Sequence, residues 1–155
     1  MKHIITKKGA QIIVDDDNFG FLSKFTWYIN KRGYAQCDSF NGLRVMMHRI
    51  IVDVPKGKEV DHINQNKLDN RKENIRVCRH EENCRNRNKC RKTKSGFKGV
   101  YYYPLNCKKR PWQVGIVVKG KYNYIGSFNT VEEAAHAYNF AATKLHGDFA
   151  SLNTL

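Results

Sequence analysis

The chain has 155 residues, 41% of them hydrophobic and 12% aromatic, which excludes a disordered polymer and suits one ordinary domain or two small ones. Its 28 Lys and Arg against 14 Asp and Glu give a formal net charge of +14, a surplus that points to a polyanionic partner. No apolar run approaches the ~20 residues of a membrane span, and the opening MKHIITKKGAQ lacks the apolar core of a signal peptide, so the expected setting is intracellular and cytoplasmic, with nucleic acid rather than membrane as the partner.

In chain order, AQIIVDDD reads as a strand ending in an acidic turn. TWYIN and YAQC are aromatic-rich strands separated by Lys31-Arg32-Gly33. Asn41-Gly42 is a strong hairpin signal, so Asp38–Met47 completes a small antiparallel sheet, and HRIIV begins a short helix. Pro55-Lys56-Gly57-Lys58 makes a turn before Glu59-Val60-Asp61-His62-Ile63. Residues 60–95 carry eleven basic and five acidic residues, the densest positive segment. Within it, NRNKCRKTKS (Asn86–Ser95) has five basic residues and no acid, and residues 89–95 are assigned as a basic linker.

Beyond the linker, FKGVYYY, PWQVGIVVKG and KYNYIGSF read as three strands, with a Lys119-Gly120 turn between the last two. Thr130-Val131-Glu132-Glu133 is a capping box, and Val131, Ala134, Ala135, Tyr138, Ala142 and Leu145 fall on one helical face. The expected fold class is α+β: an N-terminal antiparallel sheet and a site-bearing core in residues 1–88, then a three-stranded antiparallel sheet packed on one helix in 96–155. Cys37, Cys78, Cys84, Cys90 and Cys107 form no Cys-x-x-Cys pair and are read as free thiols, with a zinc-stabilised fold as the alternative.

The stretch 60–87 is rich in Asn, Arg, Asp and His. Hydrolysis of a phosphodiester needs a base for water and positive charge for the phosphate and the departing 3′ oxygen. Asp61 offers a carboxylate and His62 an imidazole, although neighbours on a strand point to opposite sides, so both face one ion only if the strand distorts or ends there. The plain alternative is a polar surface loop in which Asn74 caps a turn and Asn83 is a helical surface amide. Likewise His80 is a rival base or ligand, or simply a cap.

Val60-Asp61-His62-Ile63-Asn64, Leu68-Asp69-Asn70-Arg71, Asn74-Ile75-Arg76 and Glu82-Asn83-x-x-Asn86 together resemble the HNH endonuclease signature, in the form found in phage and intron homing nucleases. Met47-His48-Arg49 is similar to a segment that precedes this motif, and the likeness covers about residues 44–87. The resemblance implies a ββα-metal core, DNA hydrolysis by a one-metal mechanism, and one divalent ion, Mg²⁺ with Mn²⁺ as the alternative. It implies His62 as general base, Asn74 as a catalytic-site brace, and Asp61 and Asn83 as metal ligands. Arg71, Arg76, Arg85 and Arg87 become phosphate-contact candidates. Relatives often carry Gly where this chain has Gln65.

Gly96-Phe97-Lys98-Gly99-Val100-Tyr101, Trp112-Gln113-Val114, Tyr124-Ile125-Gly126-Ser127-Phe128, Glu133-Ala134-Ala135-His136-Ala137-Tyr138 and Ala150-Ser151-Leu152-Asn153 resemble the apetala-two/ethylene-response-factor DNA-binding domain. That likeness implies a sheet facing double-stranded DNA. Tyr101, Tyr103, Tyr122 and Tyr124 stand where plant members place Arg and Trp, so the plant base contacts do not transfer. The DNA-facing candidates are these tyrosines with Lys98, Lys108, Lys109, Arg110, Lys119 and Lys121, while Trp112 is expected in the core. The expected assembly is a monomer without an obligate protein partner, nicking one strand, in a bacterial host cell if the chain is phage-encoded. The competing expectation is a non-catalytic, sequence-specific DNA-binding regulator.

Overall fold

A computed structural model of the chain describes residues 1–40, 42–86, 93–104 and 109–155. Packing divides the chain into two units, Met1–Asn83 and Cys84–Leu155. The elements are helices and small antiparallel sheets, which makes the fold α+β, as the pattern of short strands implies. Among the described residues no helix is long and apolar enough to cross a membrane.

In the first unit, β1 (Lys2–Ile5) pairs antiparallel with β2 (Gln11–Val14). The acidic turn expected after β2 is instead the first turn of α1 (Asp16–Leu22). Asp16 and Asp17 sit at its positive end, where carboxylates favour helix. Phe19 and Leu22, three apart, turn its apolar side into the core. Next come β3 (Tyr28–Ile29), β4 (Ala35–Phe40) and β5 (Leu43–Met46), paired in that order as a three-stranded sheet. The β4–β5 turn has Phe40 opposite Leu43 with Gly42 at φ 77°, while Asn41 lies outside the described residues. The short α2 (Met47–Ile51) buries Met47 and His48.

β6 (Glu59–His62) and β7 (Ile75–Cys78) form a separate two-stranded antiparallel sheet, followed by α3 (His80–Arg85). The connection from β6 to β7 is anchored by β2: Ile13 donates its N–H to the Leu68 carbonyl, and Asn70 donates its own to the Ile13 carbonyl, both at 2.8 Å. Leu68 packs on the core that contains Ile12 and Val14. The N-terminal strands therefore fix the hairpin that carries the polar stretch.

That hairpin contains a conformational oddity. Gln65 has φ 64°, left-handed backbone in which a side chain crowds the following carbonyl. Relief of the crowding outweighs the extra chain entropy of glycine by up to about 1 kcal/mol. Gln65→Gly is therefore expected to raise the thermal midpoint by a few degrees; an unchanged or lower midpoint would show that the backbone there is unstrained.

In the second unit, β8 (Val100–Tyr102), β9 (Trp112–Val118) and β10 (Lys121–Phe128) form an antiparallel sheet with β9 central. Lys119 and Gly120, both at positive φ, make the two-residue turn between β9 and β10. Helix α4 (Val131–His146) covers one sheet face and starts with the expected capping box: Glu133 N–H donates to Thr130 Oγ1, and the Glu133 carboxylate accepts from Thr130 N–H. Its buried row is Ala134, Tyr138, Ala142 and His146, in steps of four. That row rotates away from Leu145, which lies exposed rather than on the core face. Gly99 lets the Tyr138 ring lie where a Cβ would stand, and it has φ +72°. Trp112 is half-buried against the core and against Tyr102, with ring centroids 4.7 Å apart.

Candidate active site

Alternation along β6 sorts the polar residues onto two faces. Glu59 and Asp61, opposite Cys78 and Arg76, share one; Val60 and His62, opposite Val77 and Ile75, share the other. Asp61 and His62 therefore leave the strand on opposite sides. His62 is the last residue of β6, and the chain turns immediately after it, with Gln65 N–H donating to the His62 carbonyl. The strand thus ends where the imidazole leaves it.

On the first face, Asp61 is buried and ion-paired: Arg76 Nη2 and Nε reach its Oδ2 at 2.7 and 3.0 Å. A carboxylate taken out of water is stabilised as an anion by such a partner. Glu59 shares that strand face: Asn83 Nδ2 donates to its Oε2 at 2.6 Å, and His80 Nδ1 lies 2.8 Å from its Oε1. His80 and Asn83, three apart on α3, reach the same carboxylate. Burial, aided by Asp61, Glu59 and Glu82, pushes the Cys78 thiol up to about 11, so it stays protonated here.

On the other face, the His62 ring meets His48 edge-on, with centroids 5.3 Å apart, and Tyr34 at 5.8 Å. Tyr34 and His48 also touch, at 5.2 Å. Asn70 is fully buried, and its Oδ1 makes a long contact of 3.4 Å with His62 Nε2. Burial holds the His62 imidazole below its ordinary value, opposed by Asn70 and by the charges of Asp61 and Asp69. A neutral imidazole is the form that accepts a proton.

Burial also pushes the His48 imidazole down to about 3, with His62 and Arg49 acting in the same direction, and His48 Nδ1 has no hydrogen-bond partner among the described residues. An unfolded histidine titrates near 6.5, so between these values the unfolded chain binds the extra proton and folding stability falls as pH falls, by about 1.4 kcal/mol per pH unit at full effect. Between pH 6.5 and 5 the parent is expected to lose about 2 kcal/mol more than His48→Phe, read as the shift in denaturant midpoint. Equal losses in both would place the acid-sensitive group elsewhere.

The loop joining the two faces is held by side-chain amides. Asn74 Oδ1 accepts from Asn64 N–H at 2.9 Å while its Nδ2 donates to the Asp69 carbonyl at 2.7 Å. Asn64 Nδ2 donates to Asp69 Oδ2, and Asn66 N–H donates to Asn64 Oδ1, both at 2.8 Å. Arg71 clamps Asp69 with two bonds, Nε–Oδ1 at 2.8 Å and Nη2–Oδ2 at 2.7 Å, and also meets Glu73. Hydrogen bonding from Arg71 holds the Asp69 carboxyl below its usual range.

By donor type, a carboxylate such as that of Asp61 and an amide oxygen such as that of Asn83 suit a hard divalent ion, and here Asp61 Oδ2 is engaged by Arg76. Asn83, with its NH₂ directed at Glu59, has its amide oxygen on the other end. Among the described residues no three His, Cys, Asp or Glu side chains converge as a metal cage. Ions bound through few protein oxygens and several waters are of the Mg²⁺ or Mn²⁺ type.

Of the other sequence candidates, Arg71 and Arg76 are engaged with Asp69 and Asp61. In the second unit, Lys98 Nζ donates to the Arg85 carbonyl at 2.6 Å. Tyr101, Tyr103, Tyr122 and Tyr124 are all exposed on or beside the sheet, as are Lys109, Arg110, Lys119 and Lys121. Tyr101, Tyr122 and Tyr124, opposite Gln113, Val117 and Gly115, share the sheet face away from α4, and the Tyr122 ring lies across Gly115 where a Cβ would overlap it. Arg87 and Lys108 lie outside the described residues, as do Cys90 and Cys107; among the described residues Cys37, Cys78 and Cys84 form no disulfide with one another. Sequence reasoning passed over Glu59, Tyr34 and the contact of Asn70 with His62. The available signal for Glu59 was its place two residues before Asp61, on the same strand face.

A family model described as HNH endonuclease matches residues 45–85. A mimivirus protein of Acanthamoeba polyphaga mimivirus, named Uncharacterized HNH endonuclease L560, is 31% identical over 154 residues, covering 96% of this chain and 77% of that protein. Protein 3.8 of Escherichia phage T7 is 30% identical over 97 residues, covering 63% of this chain and 77% of that protein. No solved structure matches the chain.

Proposed function

Because this chain belongs to the HNH endonuclease family, we propose that it is a homing-type nuclease that cuts DNA at the β6–β7–α3 hairpin, one strand at a time, with a divalent ion. The observation that supports the reading is the braced β6–β7 hairpin, in which Asp61, His62 and Asn74 are buried, Asn74 ties the loop that begins at His62, and α3 follows with Asn83 held by Glu59. Neutral His62 takes the proton from the attacking water, its ring held by His48, Tyr34 and Asn70. Asp61 and Asn83 would hold Mg²⁺, or Mn²⁺ in its place. Such an ion supplies positive charge to the phosphate and to the departing 3′ oxygen. Asn74 keeps the loop, and with it His62, in place.

The second unit anchors the enzyme on double-stranded DNA, in the manner its likeness to the apetala-two/ethylene-response-factor domain implies. Exposed Lys109, Arg110, Lys119 and Lys121 neutralise phosphates, and Tyr101, Tyr103, Tyr122 and Tyr124 contact sugars or bases. Arg85 and Lys98 are further candidates for phosphate contact, whereas Arg71 and Arg76 serve Asp69 and Asp61 first; Arg87 and Lys108 lie outside the described residues.

Among the described residues the chain carries one such hairpin, so a monomer opens a supercoiled plasmid to a relaxed circle. The expected product has 5′-phosphate and 3′-hydroxyl ends that DNA ligase reseals. Linear product from the first turnover, or nicks that ligase cannot close, would contradict the reading. The rival reading, a DNA-binding regulator, draws on the opposite faces of Asp61 and His62. It predicts a protected footprint on intact DNA.

A further inference from the structure

The amide of Asn83 has two ends of nearly equal shape and opposite use. Its oxygen can face a cation; its NH₂ cannot. Glu59 decides between them. A carboxylate accepts hydrogen bonds and donates none, so the 2.6 Å contact between Asn83 and Glu59 Oε2 must be made by the amide nitrogen. The amide oxygen is thereby turned to the other side.

Glu59 is itself held. Its second oxygen, Oε1, lies 2.8 Å from His80 Nδ1, one helical turn before Asn83. Its backbone lies in β6 opposite Cys78, two residues from Asp61 and on the same strand face. The carboxylate is thus fixed by the strand at its base and by α3 at both oxygens.

We propose that Glu59 is a positioning residue for the divalent ion: it fixes the Asn83 amide with the oxygen available as a ligand, and His80 steadies Glu59 for that task. The inference rests on the reading of Asp61 and Asn83 as the protein's ligands. It adds that the hydrogen-bond partner, not the ligand alone, sets affinity, as for other ligands oriented by a second residue.

The test is Mn²⁺ binding to the full chain without DNA, followed by the loss of the free-ion paramagnetic resonance signal. Glu59→Gln is nearly isosteric but offers an amide that can donate, so the Asn83 amide is free to turn over. Affinity is expected to fall about 10- to 100-fold, the usual loss when an orienting partner is removed. Asn83→Ala is expected to weaken binding at least as much. Because Glu59 acts through Asn83, the double variant should bind no worse than Asn83→Ala alone. Asn83→Asp introduced beside Glu59→Gln should recover much of the affinity, since the new glutamine amide can donate to one carboxylate oxygen and leave the other for the ion.

Undiminished affinity in Glu59→Gln together with weakened binding in Asn83→Ala would overturn the positioning role and leave the ligand reading intact. Unchanged binding in Asn83→Ala would overturn both. Fully additive losses would make Glu59 act on the ion independently of Asn83, which also overturns the proposal.

Discussion

His62→Ala is expected to slow DNA cleavage by about 10²- to 10⁴-fold while leaving DNA affinity unchanged, the range lost when a positioned general base is removed. The imidazole is buried, and burial holds its proton affinity below the ordinary value, so the neutral form dominates at neutral pH. The long contact to Asn70 bears on which nitrogen acts. With Asn70 Oδ1 as acceptor, Nε2 carries the hydrogen and Nδ1 the lone pair. His48 and Tyr34 flank the ring and restrict its rotation. Alanine removes the base and leaves the exposed lysines and tyrosines of the second unit untouched. Single-turnover cleavage and a gel-shift titration separate the two effects. Weakened binding with undiminished cleavage of bound DNA would assign His62 to recognition instead.

The second large effect is on folding. Asn74→Ala removes the acceptor for Asn64 N–H and the donor to the Asp69 carbonyl, in a residue that is buried. Unpaired buried polar groups cost about 1–3 kcal/mol each, so the loss should be about 2–4 kcal/mol. For a unit of this size that corresponds to a thermal midpoint lowered by roughly 10–20 °C. Asn74→Asp should be nearly as damaging, because it keeps an acceptor for Asn64 but sets a carboxylate oxygen against the Asp69 carbonyl. Cleavage should fall in both, since the loop that ends at β7 also begins at His62. A midpoint within a degree or two of the parent would show that the loop does not depend on this amide.

Local chemistry made much of the fold legible. The capping box at Thr130 and Glu133, the Lys119-Gly120 turn and the three strands before α4 all depend on neighbours in sequence. The α+β class followed from them. Helix α1 was not legible, because three aspartates after a strand suit a turn as well as a helix N-terminus; packing of Phe19 and Leu22 decided it. Leu145 was misplaced because a single helical face does not say which diagonal row the sheet will bury.

The site divides in the same way. Asp61 and His62 stood out by residue type, and the resemblance to the HNH signature singled out Asn74 and Asn83. The pairing of Asp61 with Arg76, fifteen residues on, and of Asn83 with Glu59, twenty-four residues back, depends on strand register and on where α3 lies. The clamp of β2 on the loop, Ile13 against Leu68 and Asn70, is more distant still. Gln65 adopts the left-handed conformation that its residue type disfavours, so tertiary context overrides local preference there.

DNA hydrolysis by this hairpin with a divalent ion is tested by incubating supercoiled plasmid with the full chain, in Mg²⁺ and in excess chelator. Open circles in Mg²⁺ and intact supercoils in chelator are the expected result. Plasmid retarded in a gel yet uncut in Mg²⁺ and in Mn²⁺, or cut at the same rate in chelator, would contradict it.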